Sequence, residues 1–316
     1  MKPTFLGMSL CLVAVACLAQ FRSEVHLINI GFSVRDPQGR LVTNLTQDDF
    51  EIVEDGVPQK ISFFARSQDV PLTLGLVVDI SGSQGAFVKQ HHQDVRKFLN
   101  EVLRDQDRAF LVCFANNPRL VSTFSASGKK LVDALEGFQQ LRDKSPFPLL
   151  GFPEIRTGGT SFYDAIYYSS VQMLATVDKG RRALVVFSDG EDNSSAHHEM
   201  DAIEAAQTND VLLFAIRYTE IRNGRPNARN KYGTSVMERI ARETGGADFD
   251  AQERELADHF KQIGDQLRLS YELGYHSSNP VSDDSFHKLK IRLRTGLPAG
   301  LTVRAKTGYY ARPSSN

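Results

Sequence analysis

Leu72–Ser83 reads LTLGLVVDISGS: an apolar run of strand length, then a carboxylate and two hydroxyls on alternate positions. An unbroken apolar run, without polar alternation, predicts a strand covered on both faces. Downstream, Ala86–Leu103 carries Val88, Val95, Phe98, Leu99, Val102 and Leu103 at helical spacing. Arg108–Ala115 and Arg119–Phe124 are β-rich runs joined by Asn116-Asn117-Pro118, which predicts a hairpin. Ala183–Ser188 and Val211–Tyr218 read as further strands. Lys129–Leu141, Ser161–Thr176, Glu199–Thr208, Ser235–Thr244 and Glu253–Leu267 read as helices. Strand–helix alternation of this kind predicts an α/β fold, a doubly wound and mostly parallel sheet with the hairpin as its antiparallel edge.

The flanks are different. Val25–Val34, Asp49–Glu54 and Lys60–Ala65 look like strands parted by turn signals at Asp36-Pro37-Gln38-Gly39 and Asp55-Gly56. Ser270–His276, His287–Arg294 and Leu301–Ala305 look like strands at the other end. Neither flank alone is large enough to bury a sheet face well. The expectation is therefore one small β-sandwich built from both flanks, with the α/β unit inserted. The division is 1–19, 20–69, 70–268 and 269–316.

Met1–Ala19 is other material: Lys2 near the start, an uncharged apolar run from Phe5, and small residues at Ala14, Ala16 and Ala19. This pattern predicts a cleaved signal peptide and export, to the periplasm or the medium. Cys17 offers a secondary reading, a lipid anchor. No later apolar run has spanning length. The 37 Lys+Arg against 38 Asp+Glu leave no basic excess, which excludes nucleic acid as the main partner. Beyond Cys11 and Cys17 the chain has Cys113 alone, within the apolar RAFLVCFA, so neither an intrachain bridge nor a Cys/His zinc site is expected.

Five oxygen side chains fall at expected strand ends or helix starts. Asp79, Ser81 and Ser83 follow the first apolar strand, Thr160 closes Gly158-Gly159-Thr160, and Asp189 follows ALVVFS. In an open α/β sheet the carboxyl ends of the strands converge on one edge, where ligands bind. Two carboxylates and three hydroxyls suit a hard divalent cation of the Mg²⁺ type, with Mn²⁺ or Ca²⁺ as substitutes. Such a set leaves the ion under-neutralised, and an Asp or Glu of a protein partner is a natural further ligand.

The constellation of Asp-x-Ser-x-Ser, a distant Thr and Asp-Gly resembles the metal-ion-dependent adhesion site of von Willebrand factor type A domains. The similarity covers about Pro71–Arg268, and the flanking FSVRDPQGRLVTNLTQDDFEIVEDGVPQKISFF, YELGYH and TGYYA are similar to an exported bacterial family of such domains. The resemblance implies that Ser81, Ser83 and Thr160 touch the metal through hydroxyls, while Asp79 and Asp189 act through hydrogen bonds or bound water. It further implies a non-enzymatic adhesion module.

Three other readings compete with adhesion. The cation site could serve stability alone, as a clasp between loops. Ser81-Gly82-Ser83-Gln84-Gly85 approaches a hydrolase nucleophile elbow, with Ser83 as nucleophile and Asp189 and His259 as partners. Nucleotide binding lacks any phosphate-loop motif. Glu191 and Asp192 read as a solvated acidic loop, and the pairs His91-His92 and His197-His198 as solvated histidines.

Overall fold

The computed structural model describes residues 27–141, 144–152, 158–219, 221–222, 225–226, 228–252, 256–279 and 285–311. The expected signal peptide and Cys17 lie outside the described residues. In chain order the strands are β1 (Leu27–Arg35), β2 (Phe50–Glu54), β3 (Val57–Gln59), β4 (Ile61–Ser67), β5 (Leu72–Asp79), β6 (Arg108–Phe114), β7 (Pro118–Ser125) and β8 (Arg181–Ser188). They continue with β9 (Val211–Arg217), β10 (Ala247–Asp250), β11 (Ser270–His276), β12 (Phe286–Leu293), β13 (Thr302–Ala305) and β14 (Gly308–Tyr310). The helices are α1 (Val88–Val102), α2 (Gly128–Gln140), α3 (Phe162–Tyr168), α4 (Glu199–Thr208), α5 (Ala228–Glu243) and α6 (Leu256–Arg268).

The central sheet runs β10-β9-β8-β5-β6-β7, with every pairing parallel except β6 with β7. All eight residues of β5 are buried. Leu74, Leu76 and Val78 pack with Val95, Phe98 and Leu99 of α1, while Val77 packs on the other side with Ile166 of α3 and Ile203 of α4. Each such aliphatic side chain contributes about 1.5–3 kcal/mol on burial. Gly75 supplies a close approach: a Cβ there would sit 2.4 Å from the Phe110 ring and 2.5 Å from Leu184. The doubly wound α/β expectation is met, and the strand order places β5 and β8 side by side at the centre.

The flanks form two antiparallel sheets, β13-β1-β11-β4 and β14-β12-β2-β3. Each sheet contains strands from both chain ends, alternating in the first and side by side in pairs in the second, so neither end completes a sheet alone. Their facing sides share one core in which Phe32 meets Phe50 at 4.9 Å and Tyr271 at 5.3 Å. The α/β unit sits between β4 and β11, and Arg35 of β1 donates to Gln266 Oε1 of α6 at 2.9 Å.

Beyond the short flanking strands β3 and β14, which the sequence reading did not foresee, three elements of the α/β unit depart from expectation. β10 is a four-residue strand carrying Asp248 and Asp250, too short and too charged for its pattern to show. The helix expected from Ser235 begins at Ala228, running through Gly233. The helix expected over Ser161–Thr176 is α-helical only to Tyr168, then widens to π at Ser169–Met173 and tightens to 3₁₀ at Leu174–Thr176.

Candidate functional site

β5 and β8 are parallel neighbours, so Asp79 at the end of one and Asp189 just past the other share one sheet edge. Asp79 is fully buried, and Asp189 is nearly so. The Asp79 carboxylate accepts the Ser81 amide at 2.8 Å through Oδ1 and the Ser188 hydroxyl at 2.6 Å through Oδ2. The first bond folds the chain back after β5 and sets Ser81 and Ser83 with their hydroxyl oxygens 3.1 Å apart. Ser81 is buried while Ser83 is exposed, so the pair runs from the interior to the surface.

Asp189 accepts the Gln84 side-chain amide at 2.7 Å through Oδ2 and the Glu191 backbone amide at 3.1 Å through Oδ1. Its turn needs Gly190, whose φ is +76° and where a Cβ would lie 2.4 Å from the Gly233 carbonyl oxygen. Gly233 returns the contact, since a Cβ there would lie 2.2 Å from the Asp189 carbonyl oxygen.

Thr160 reaches the same edge by another route. Its amide donates to Asn193 Oδ1 at 2.7 Å, and its carbonyl accepts the amides of Asn193 and Ser194 at 3.0 and 3.1 Å. Gly159, at φ +101°, makes this possible, because a Cβ there would meet Asn193 Oδ1 at 2.6 Å. Next door, Ser161 ties its amide to the Ala115 carbonyl at the end of β6. Thr160 is thus buried beside the loop that follows Asp189, though no hydrogen bond joins it directly to Asp79, Ser81 or Ser83.

The electrostatics of this edge are unbalanced. Burial, reinforced by the Asp189 charge, pushes the Asp79 carboxyl up to about 7, against the opposing pull of the Ser188 and Ser81 bonds. Neither Asp79 nor Asp189 has a Lys or Arg ion-pair partner among the described residues. Two close carboxylates with neutral donors around them, and the Ser81–Ser83 hydroxyl pair running out to the surface, fit a hard cation in chemistry. No group of three His, Cys, Asp or Glu residues among the described residues is arranged to hold a metal, so an ion at this edge would rest on the hydroxyls as well as the two carboxylates.

Several expectations are corrected here. Asp192 is no solvated loop residue: its Oδ2 accepts the amides of Phe162 and Tyr163 at 2.9 and 3.4 Å, capping α3 from a separate loop. Glu191 is half-buried and faces Arg229 at 4.0 Å, with burial and the Asp189 charge raising its carboxyl above the usual range. His91 is fully buried against the Tyr218 ring at 4.3 Å, and His197 stacks on Tyr167 at 3.7 Å while meeting Asp164 at 2.8 Å. Among the described residues, no hydrogen bond joins Ser83, Asp189 and His259 to one another. Ser83 bonds to Ser81, whereas His259 lies on α6 with its ring 4.7 Å from that of Phe249.

Gln84, Ser188, Asn193 and Gly233 escaped the sequence reading. Each acts by holding another residue in place. Ser188 alone carried a signal, a hydroxyl ending an otherwise apolar strand.

With this geometry in view, likenesses to known proteins take their place. The sequence model of the von Willebrand factor type A domain matches residues 74–191, a span that contains Asp79, Ser81, Ser83, Thr160 and Asp189. Over those residues the central unit is similar to a von Willebrand factor type A domain, and its mostly parallel sheet with flanking helices agrees with that likeness. No curated protein matches the sequence. Among solved structures, a von Willebrand factor type A protein from Catenulispora acidiphila is 11% identical, covering 92% of this chain and 74% of its own at a TM-score of 0.45. The manganese-loaded TRAP protein of Plasmodium vivax is 12% identical, covering 80% and 97%, at 0.45. Proximal thread matrix protein 1 from the mussel byssus, with a zinc-occupied MIDAS motif, is 13% identical, covering 67% and 49%, at 0.46.

Proposed function

We propose that this chain is an exported, non-enzymatic binding module that captures a protein partner through a divalent cation. Mg²⁺ is the ion expected first, with Mn²⁺ or Ca²⁺ as substitutes. Ser81, Ser83 and Thr160 would hold it through hydroxyls, with Asp79 and Asp189 supplying charge from behind. The bound ion supplies a Lewis-acid position for one further anionic oxygen, the Asp or Glu carboxylate of the partner.

One observation carries the reading: Asp79 and Asp189 are buried on one sheet edge, and among the described residues no cationic side chain is paired to either. Burying two such charges uncompensated costs several kcal/mol each, a cost that a bound cation would lift and that otherwise raises the Asp79 carboxyl. The residues around them are built for rigidity. Ser188 fixes Asp79, Gln84 fixes Asp189, and Asn193 fixes the Thr160 backbone. Against the edge lies the start of α5, where exposed Tyr232 adjoins Gly233 and offers a partner an aromatic contact.

A structural clasp would use the same cation, so partner capture must be tested separately from uptake. The immobilised chain is exposed to native envelope extract or culture fluid in Mg²⁺, then in EDTA, with Ser83→Ala as control. Ser83 is exposed, so its loss leaves the fold intact. A defined protein retained only with Mg²⁺ and lost with Ser83→Ala supports capture. Metal-dependent stability without any such protein supports the clasp.

A further inference from the structure

β8 runs between two edges. Its far end leads to Asp189, and its first residue, Arg181, lies about 23 Å away at 3.3 Å per residue. At that opposite edge a cleft of about 470 Å³ opens between the β-sandwich and the α/β unit. Junctions of this kind are where small-molecule sites concentrate. Arg181 lies in it with a side chain only 9% exposed. The guanidinium carries five N–H donors, yet makes no side-chain hydrogen bond among the described residues. Among the described residues its ion-pair contact is Glu272 at 3.6 Å, too long for a hydrogen bond, and Glu272 is itself 43% exposed.

The other charges do not balance, because Asp210 alone faces two cations. Lys306 meets Asp210 at 2.6 Å and Arg182 meets it at 3.7 Å. Three cations against two carboxylates leave the cleft one positive charge in excess. Leu27 and Phe63, both more than two-fifths exposed, form an apolar wall with Leu212.

We propose that this cleft binds a small apolar carboxylate, its carboxyl group on the Arg181 guanidinium and its body against Leu27, Phe63 and Leu212. A carboxylate matches the planar fork of arginine through two parallel N–H···O bonds. It also supplies the single negative charge that the cleft lacks. Burial lowers the Arg181 guanidinium below its ordinary value, and an anion would relieve that cost. Inorganic phosphate would satisfy the arginine but leave the apolar wall idle.

The test is calorimetric titration of the full chain in EDTA, which keeps the cation site out of the measurement. The probes are octanoate, octanol and inorganic phosphate. Saturable octanoate binding, weaker phosphate binding and none by octanol are expected. Arg181→Gln should weaken octanoate at least about tenfold, the loss of roughly 1.4 kcal/mol. Should that variant fail to fold, Phe63→Asp at its exposed position should weaken octanoate by a similar factor without moving Tm. No saturable octanoate binding overturns the site, and phosphate binding tighter than octanoate overturns the ligand class. Octanoate affinity unchanged by Phe63→Asp overturns the location.

Discussion

Ser188 donates its hydroxyl to Asp79 Oδ2 at 2.6 Å, and the same hydroxyl oxygen accepts the Gly190 amide at 3.0 Å. One side chain thus locks the last carboxylate of β5 to the turn that carries Asp189. Ser188→Ala would strip a buried carboxylate oxygen and a buried amide of their partners together. A loss of about 1–3 kcal/mol is expected from each unsatisfied group. Urea unfolding in EDTA measures it, and a shift of the midpoint within error would show that Ser188 is incidental.

Gly233 sits inside a helix, where replacement by Ala ordinarily stabilises by about 1 kcal/mol. Here the new Cβ would meet the Asp189 carbonyl oxygen at 2.2 Å. The clash outweighs the propensity gain, since overpacking costs about 1–3 kcal/mol. Gly233→Ala should therefore lower stability and also weaken divalent-cation uptake, through displacement of Asp189. A variant as stable as the parent, with unchanged cation affinity, refutes the close-approach account.

Burial, with a smaller effect from neighbouring His92, holds the His91 imidazole down to about 3. The unfolded chain binds this proton near pH 6.5, whereas the folded chain does not. His91 therefore contributes stability above pH 6.5 that is lost as the pH falls towards 3. Within that window the slope is about 1.4 kcal/mol per pH unit for one proton. His91→Leu should flatten the slope by about one proton while keeping the contact with Tyr218. An identical pH profile in the variant would show that another group sets it.

Arg268 at the end of α6 donates to Asp107 Oδ2 at 2.5 Å and to the Val102 carbonyl at 2.7 Å, and both partners of the ion pair are buried. Asp107 also accepts the Leu72 amide at the start of β5, at 2.9 Å. Removal of one member of a buried pair costs about 3–5 kcal/mol, because the other charge stays behind. Arg268→Ala should lose that much in chemical denaturation, and the pair Arg268→Met with Asp107→Leu should recover part of it. Additive losses in the double variant would argue against coupling.

The sequence disclosed what repeats or stands alone. LTLGLVVD announced a doubly covered strand because its positions before Asp79 are apolar or small, with Thr73 the single polar one. Asp79, Ser81 and Ser83 were legible because they interrupt that pattern at its end. Six of the eight terminal strands were legible as strands, all but the short β3 and β14, and the joining of both ends followed from the size of a stable sheet. What stayed hidden depends on contact between distant segments. Asp192 looks like any loop carboxylate until α3 arrives to be capped. His91 looks solvated until Tyr218 covers it, and Gly233 looks like a flaw in a helix until Asp189 lies against it. The charge pair at Asp210 and Lys306 likewise spans both units, so local spacing never revealed it.

The cation remains the hinge of the account. Calorimetric titration of the purified chain with MgCl₂ and MnCl₂ should give saturable uptake of one ion per chain. The same titration should give none for Asp189→Ala, at unchanged far-ultraviolet circular dichroism. Absence of heat with either ion up to millimolar concentration, or equal uptake by the Asp189→Ala variant, would contradict it.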